Sequence, residues 1–378
     1  MGSESLGLRL FAWGANSYGQ LGIGERSEQS ETPTELARPP PDVETLAGGG
    51  GHSLAVGAGG ELYSCGWNSK GQLGLGDAED RAEFARVGDA PRVRAAAAGW
   101  DFTVIVGEDG RAYGAGSNAF GQLGLGSKRR GADKFSEIEA VSEVRAVACG
   151  LRHTVFLDGG GSVFGCGSAK KGQLGVEGGK GTGDRFTPVK MSIPSPVRQI
   201  CAGQHFTLAL TLDGKIFGFG DNKRGQLQGS LEDPAASGPF VLNIDRLTDS
   251  PVAMLEVGWT HAACLFEDGR VATWGRNDYH QLGRPDSARA VDFVPGPKRV
   301  SLSSGSEHCV AKDENGDRLV SWGWNEHGNC GDGFTRNVAD PTLVKLPETA
   351  QIVSHFSASA HNFALVKMGP IHAHSDPV

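Results

Sequence analysis

Phe11-Ala12-Trp13-Gly14-Ala15-Asn16-Ser17-Tyr18-Gly19-Gln20-Leu21-Gly22 decides the fold, because the chain keeps returning to it. The run comes back as Ser64-Cys65-Gly66-Trp67-Asn68-Ser69-Lys70-Gly71-Gln72-Leu73-Gly74, then around Gly116, Gly167, Gly220, Gly275 and Gly323. Successive intervals from Gly14 are 52, 50, 51, 53, 55 and 48 residues. A period of this size marks one supersecondary unit that buries its apolar faces only against its neighbours.

A second motif precedes each return. Gly-x-x-His opens a short alternating strand, as in Gly150-Leu151-Arg152-His153-Thr154-Val155-Phe156-Leu157. The His column reads His52, Phe102, His153, His205, His261, His308 and His361. Between it and the next repeated glycine lies a turn dipeptide: Gly59-Gly60, Asp109-Gly110, Gly160-Gly161, Asp213-Gly214, Asp268-Gly269 or Asn315-Gly316. Two alternating runs joined by Asp-Gly or Gly-Gly make a hairpin. With a further alternating run upstream (Val144-Arg145-Ala146-Val147-Ala148-Cys149) and a looser segment between repeats, each unit supplies about four short strands, as in a propeller blade.

The two ends complete one another. The chain opens on a Trp-Gly half repeat and closes on a His half, Ala358-Ser359-Ala360-His361-Asn362-Phe363-Ala364-Leu365-Val366. The expected fold is all-β: a seven-bladed β-propeller over residues 8–367, closed by pairing of the N-terminal and C-terminal half repeats, with short tails at 1–7 and 368–378.

Composition agrees. Glycine supplies 58 of 378 residues, about twice the usual share, and the net charge is −8. That balance disfavours nucleic acid or an anionic membrane surface as partner, and Lys128-Arg129-Arg130, the longest basic run, reads as a solvated loop. No apolar stretch is long enough to cross a membrane, and Met1-Gly2-Ser3-Glu4-Ser5 lacks the marks of a signal peptide. The seven cysteines include no Cys-x-x-Cys pair; Cys65 and Cys166 share one repeat position and Cys149 and Cys201 another, so they read as reduced core thiols of a cytoplasmic or nuclear protein.

These registered copies resemble the regulator-of-chromosome-condensation repeat family, whose members form seven-bladed propellers; the resemblance covers nearly the whole chain. It implies guanine nucleotide exchange on a small GTPase, either Ran-like or of the secretory pathway. In the Ran-exchanging member it further implies acidic residues just before the His column and a wedge projecting from one blade. Asp101 and Glu307 occupy comparable loops, whereas Asn118-Ala119-Phe120-Gly121-Gln122-Leu123-Gly124 holds no insertion, the nearest irregularity being the longer loop from Val176 to Phe186. The alternative is a non-catalytic scaffold for a secretory or vesicle-tethering complex. Photoreception, known in plant relatives, needs repeated Gly-Trp-Arg-His runs that this chain lacks.

The repeated histidines sit in separate blades around a ring, too dispersed to converge on one metal ion, and are expected to link blades by polar contacts to backbone. Gly178-Gly179-Lys180-Gly181-Thr182-Gly183 lacks phosphate-loop spacing. No cofactor, metal or covalent catalytic residue is expected. Function is instead expected on a face. The Gly-x-x-His loops and the Asn-x-x-Gly-Gln-Leu-Gly loops lie on one side of the ring, the turn dipeptides on the other. Residues varying within the fixed loops are the candidate partner contacts: Trp100, Asp101, Arg152, Gln204, Trp259, Thr260, Glu307, Asn325, Glu326 and His327, with Trp67 and Lys70 beside them. Trp100 and Trp259 have packing between blades near the axis as an alternative role. The expected state is a monomer without nucleic acid or membrane insertion.

Overall fold

The computed structural model describes residues 7–176, 183–227, 240–242, 244, 246–285 and 290–369. These contain 28 strands in seven four-stranded antiparallel sheets. Blades 1 to 6 are continuous in sequence (43–86, 93–137, 144–190, 197–242, 252–293 and 299–343), each running outward from an innermost strand at the axis. Blade 7 is composite. Its inner strands are Ala350–Ser357 and His361–Met368, its outer strands Leu8–Ala15 and Gln29–Glu35. The two chain ends pair antiparallel from Leu8↔Lys367 to Gly14↔His361 without a break in register.

Strand periodicity divides the core. Successive side chains point to opposite faces of a sheet, and here both faces meet another blade. Leu54 and Val56 enter the cluster between blades 1 and 2, whereas Ala55 enters the one between blades 7 and 1. In blade 7, Phe363 and Leu365 face blade 1 while Ala364 and Val366 face blade 6. One apolar cluster fills each of the seven blade junctions.

Backbone geometry accounts for the glycines at two places. The second residue of each turn dipeptide, such as Gly110 at φ +79° and Gly269 at φ +85°, is in the left-handed region that the hairpin requires. The repeated glycine of the Trp-Gly strand combines positive φ with close approach: a Cβ on Gly66 would lie 2.4 Å from the Gly51 carbonyl oxygen.

Polar groups tie blade to blade around the carbonyl of each Gln-Leu loop. His52 Nε2 meets Thr103 Oγ1 of the next blade at 2.9 Å, and that hydroxyl donates to Gln72 O at 2.7 Å. His153, Thr207 and Gln173 repeat the arrangement, as do His361, Ser53 and Gln20. Because the hydroxyl spends its proton on the carbonyl, the histidine donates through Nε2. Where the next blade offers no hydroxyl, an indole takes over: Trp274, Trp322 and Trp13 donate to Gln226, Gln281 and Asn329 oxygens at 3.0, 3.1 and 3.0 Å. Cys65 and Cys166 reach Gln20 and Gln122 oxygens in the same way.

Two expectations are corrected. The histidines reach their neighbours through side chains, not directly through backbone. Position 205 is also not in the column: Phe206 pairs with Gly220 as His153 pairs with Gly167, and His205 is the half-buried residue before it. The ring holds five histidines and two phenylalanines at this position among the described residues.

Removing residues 1–14 would strip Leu10, Phe11 and Trp13, all buried, from two junctions. Each such loss costs about 2–5 kcal/mol, and together they exceed the stability of most domains. The truncated chain is expected to elute as aggregate in size-exclusion chromatography, whereas a permutant joining residue 367 to residue 8 and opened at Asn315 keeps the fold. Acid attacks blade junctions as well. Burial lowers His52, His153 and His361 to about 3 and His308 to about 4. The unfolded chain, with histidine near 6.5, then binds more protons than the folded one, so stability is full above about pH 6.5 and falls toward about pH 3. At about pH 5 the loss is about 2 kcal/mol per histidine, to be read as a steep drop in the urea midpoint.

Candidate docking face

The face carrying the Gly-x-x-His and Gln-Leu loops is rigid. In the second loop set, Asn Oδ1 accepts the amide five residues on, as from Asn68 to Leu73 at 2.9 Å, and Gln Oε1 accepts the amide two residues back, as from Gln72 to Lys70 at 2.9 Å. Asn325 performs this task in blade 6. It is fully buried, accepts from the Cys330 amide at 2.7 Å and donates to Asp332, Phe334 O and Arg336 O. It frames the loop and is withdrawn from the candidate contacts.

On this frame the aromatic residues form one continuous ridge. Tyr18 stacks on Trp67 at 5.4 Å, Trp67 meets Trp100 edge-on at 6.5 Å, and Trp100 meets Trp259 at 5.5 Å. Trp100 belongs to blade 2 and Trp259 to blade 5, so the two rings touch across the axis, not between adjacent blades. Blade 1 makes room by carrying no side chains there. A Cβ on Gly50 would lie 2.6 Å from the Trp100 ring, and one on Gly51 2.9 Å from Tyr18. Tyr18 and Trp100 are 41% and 39% exposed, so the ridge presents apolar surface to solvent on this face.

Beneath the two tryptophans the channel mouth encloses about 130 Å³, lined by Gly-x-x-His backbone and by Ser304, Ser306, Ser357 and Ser359. This is well below the usual size of a ligand pocket, about 300 Å³ or more, so it cannot hold a nucleotide. Backbone bonds close the rim from blade to blade, from the Gln204 amide to Trp259 O, the Trp259 amide to Ser306 O and the Ser306 amide to Ser359 O.

Charges flank the ridge unequally. Arg152 is exposed and lies 4.3 Å over the Phe120 ring. Asp101 is half-buried; burial raises its carboxyl above the ordinary range, against hydrogen bonds from Ser117 and Gln122. Glu307 departs from expectation. It is only 6% exposed, accepts from Thr260 Oγ1 at 2.9 Å and Gln281 Nε2 at 2.6 Å, and lies 3.8 Å from Arg276 Nη1. It is a strut joining blade 6 to blade 5, and Thr260 is committed to it. Gln204 is half-buried beside the rim; Glu326 is exposed and accepts the Trp324 indole at 3.2 Å, with His327 packed edge-on against Trp324. The structure thus gathers Trp67, Trp100, Trp259 and Gln204 near the axis and leaves Glu326 and His327 on blade 6. Sequence reasoning missed Tyr18 and Phe120, although both fill the variable loop position that yielded Lys70. Part of the Val176–Phe186 loop, together with all of the Gly178–Gly183 run but Gly183, lies outside the described residues. Among the described residues no cluster of three His, Cys, Asp or Glu side chains is placed to hold a metal ion.

Fold and face define a class before they define a partner. A family model described as the RCC1-like domain matches residues 9–364, and the chain belongs to that family. Within it, the chain is 36% identical to the secretion-regulating guanine nucleotide exchange factor of Mus musculus, over 96% of this chain and 84% of that protein. Its Bos taurus counterpart is also 36% identical, over 89% of this chain and 78% of that protein. Among solved structures, Prp20p from Saccharomyces cerevisiae, which binds Gsp1p and histones, superposes with a TM-score of 0.84 at 25% identity, covering 96% of this chain and 92% of that one.

Replacing Glu307 by Ala leaves Gln281, Thr260 and Arg276 facing a buried void and should cost on the order of 3 kcal/mol in urea unfolding. Arg152→Ala, on the surface, should stay within about 0.5 kcal/mol. A Glu307→Ala loss below about 1 kcal/mol would show the strut to be dispensable.

Proposed function

We propose that this propeller is a guanine nucleotide exchange factor-like protein that binds a small GTPase, Ran-like or of the secretory pathway, through the aromatic face, and that it regulates protein secretion from the cytoplasm or nucleus. The observation that carries the reading is the Tyr18–Trp67–Trp100–Trp259 ridge, offered as a docking surface on a chain that matches the two exchange factors named above over 84% and 78% of their length. Exchange needs no covalent group. It lowers the barrier to GDP release by binding a GTPase conformation with loosened nucleotide contacts better than the closed one. A rigid face with large aromatic anchors suits that task, because little entropy is lost on docking.

A second reading has its own support. The Asn118–Gly124 loop keeps the ordinary frame, with Asn118 accepting from Leu123 at 3.0 Å and Gln122 from Phe120 at 2.8 Å, so this blade projects no wedge. That favours a scaffold for a secretory or vesicle-tethering complex, with the same face used for docking alone.

Release of a fluorescent GDP analogue from a panel of purified small GTPases separates the two. Acceleration of any member by micromolar propeller supports exchange; binding without acceleration supports the scaffold. In either case Trp100→Ala should weaken binding about tenfold, or about 1.4 kcal/mol, with the melting temperature little changed. Unaltered affinity would remove the ridge from the interface.

A further inference from the structure

The opposite face carries a second, independent site. Every blade has a register shift early in its innermost strand, at the second residue in blades 1 to 6 and the fourth in blade 7, for example between Val93 and Ala95, Val144 and Ala146, and Ile352 and Ser354. Such a bulged residue is unpaired, and bulges at a rim re-aim a side chain. Seven equivalent bulges therefore set the composition of the channel mouth on the face of the turn dipeptides. Reading round the ring, the residues are Glu44, Arg94, Arg145, Arg198, Ala253, Val300 and Val353.

The order is not random. Three consecutive blades supply arginine, and the next three supply Ala253, Val300 and Val353, the two valines 49% and 47% exposed. Each arginine is held by the blade that follows. Arg94 donates to Val144 O, Arg145 to Val197 O at 3.0 Å, and Arg198 to Val252 O. Each guanidinium thus lies beside the backbone of the next arginine or, for Arg198, of Ala253, giving a fixed cationic arc. Among the described residues none of the three has a carboxylate within ion-pair distance. A guanidinium using one N–H on a carbonyl keeps the others for a second acceptor, and its planar fork matches a carboxylate.

We propose that this rim binds a short acidic segment of a partner protein, its carboxylates on Arg94, Arg145 and Arg198 and an apolar side chain on Val300 and Val353. A nucleic acid or an anionic bilayer fits less well. The cationic arc covers three of seven positions, Glu44 adjoins it, and Glu108, Glu143 and Glu267 stand exposed on the same face of a chain carrying −8. The site is separate from the aromatic face, so it stands or falls apart from the GTPase reading.

The test is fluorescence anisotropy of a labelled octapeptide of alternating glutamate and leucine, titrated with the full chain at about 50 mM and about 500 mM salt. Binding should be in the micromolar range and weaken with salt. Arg145→Gln keeps a donor for Val197 O but removes the charge, and should weaken binding about tenfold. Val353→Ser should weaken it severalfold. Glu44→Gln removes the opposing carboxylate and should tighten binding about threefold, a gain that misfolding cannot imitate. The proposal is overturned if the peptide fails to bind at about 1 mM, if Arg145→Gln binds as wild type does, or if a single-stranded oligodeoxynucleotide or phosphatidylserine vesicles bind as tightly as the peptide.

Discussion

No blade of this protein owns a core. Each sheet is buried on both faces, and each face is completed by another blade, so among the described residues the apolar core is divided over seven junctions. An open array of such blades would leave two uncovered faces. Closing the ring covers both at once, and the chain does this with its own ends through seven registered residue pairs. The polar network follows the same rule: histidines, hydroxyls, thiols and indoles differ from blade to blade, but each set satisfies a loop carbonyl across a junction.

That shared task explains why the sequence looked repetitive where it was structural and irregular where substitutes were available. Thr103, Ser53 and Asn362 are interchangeable because each can receive a histidine proton and pass another to a carbonyl. Phe206 stands in the column because its blade meets Ala262, which has nothing to offer a histidine, and Trp274 supplies the missing donor.

Blade number, strand count, turn positions and ring closure were therefore legible from spacing alone. The site was legible only in part. Repeat alignment showed which loops share a face but not which side chains point out from it. Glu307 and Asn325 vary or recur in exposed-looking loops yet are buried, because the partners that claim them come from other stretches of sequence. Conversely, the ridge depends on what blade 1 lacks. Gly50 and Gly51 leave the space that Trp100 and Tyr18 cover, and an absent side chain gives no signal in a search for functional residues. The rim of the opposite face was hidden for a different reason: a bulge changes where a residue points without changing its place in the repeat.

The pairing that closes the ring has a mechanical side. Leu8 and Lys367 are partners at one edge of an antiparallel strand pair, so both ends of the propeller leave the same face close together. Tension applied between them does not load the seven pairs in parallel, as shear along two strands would. It peels them in turn, from Leu8↔Lys367 toward Gly14↔His361. A ring held together through shared cores is then weakest to a pull on its two ends, and such a pull would release blade 7 before any other.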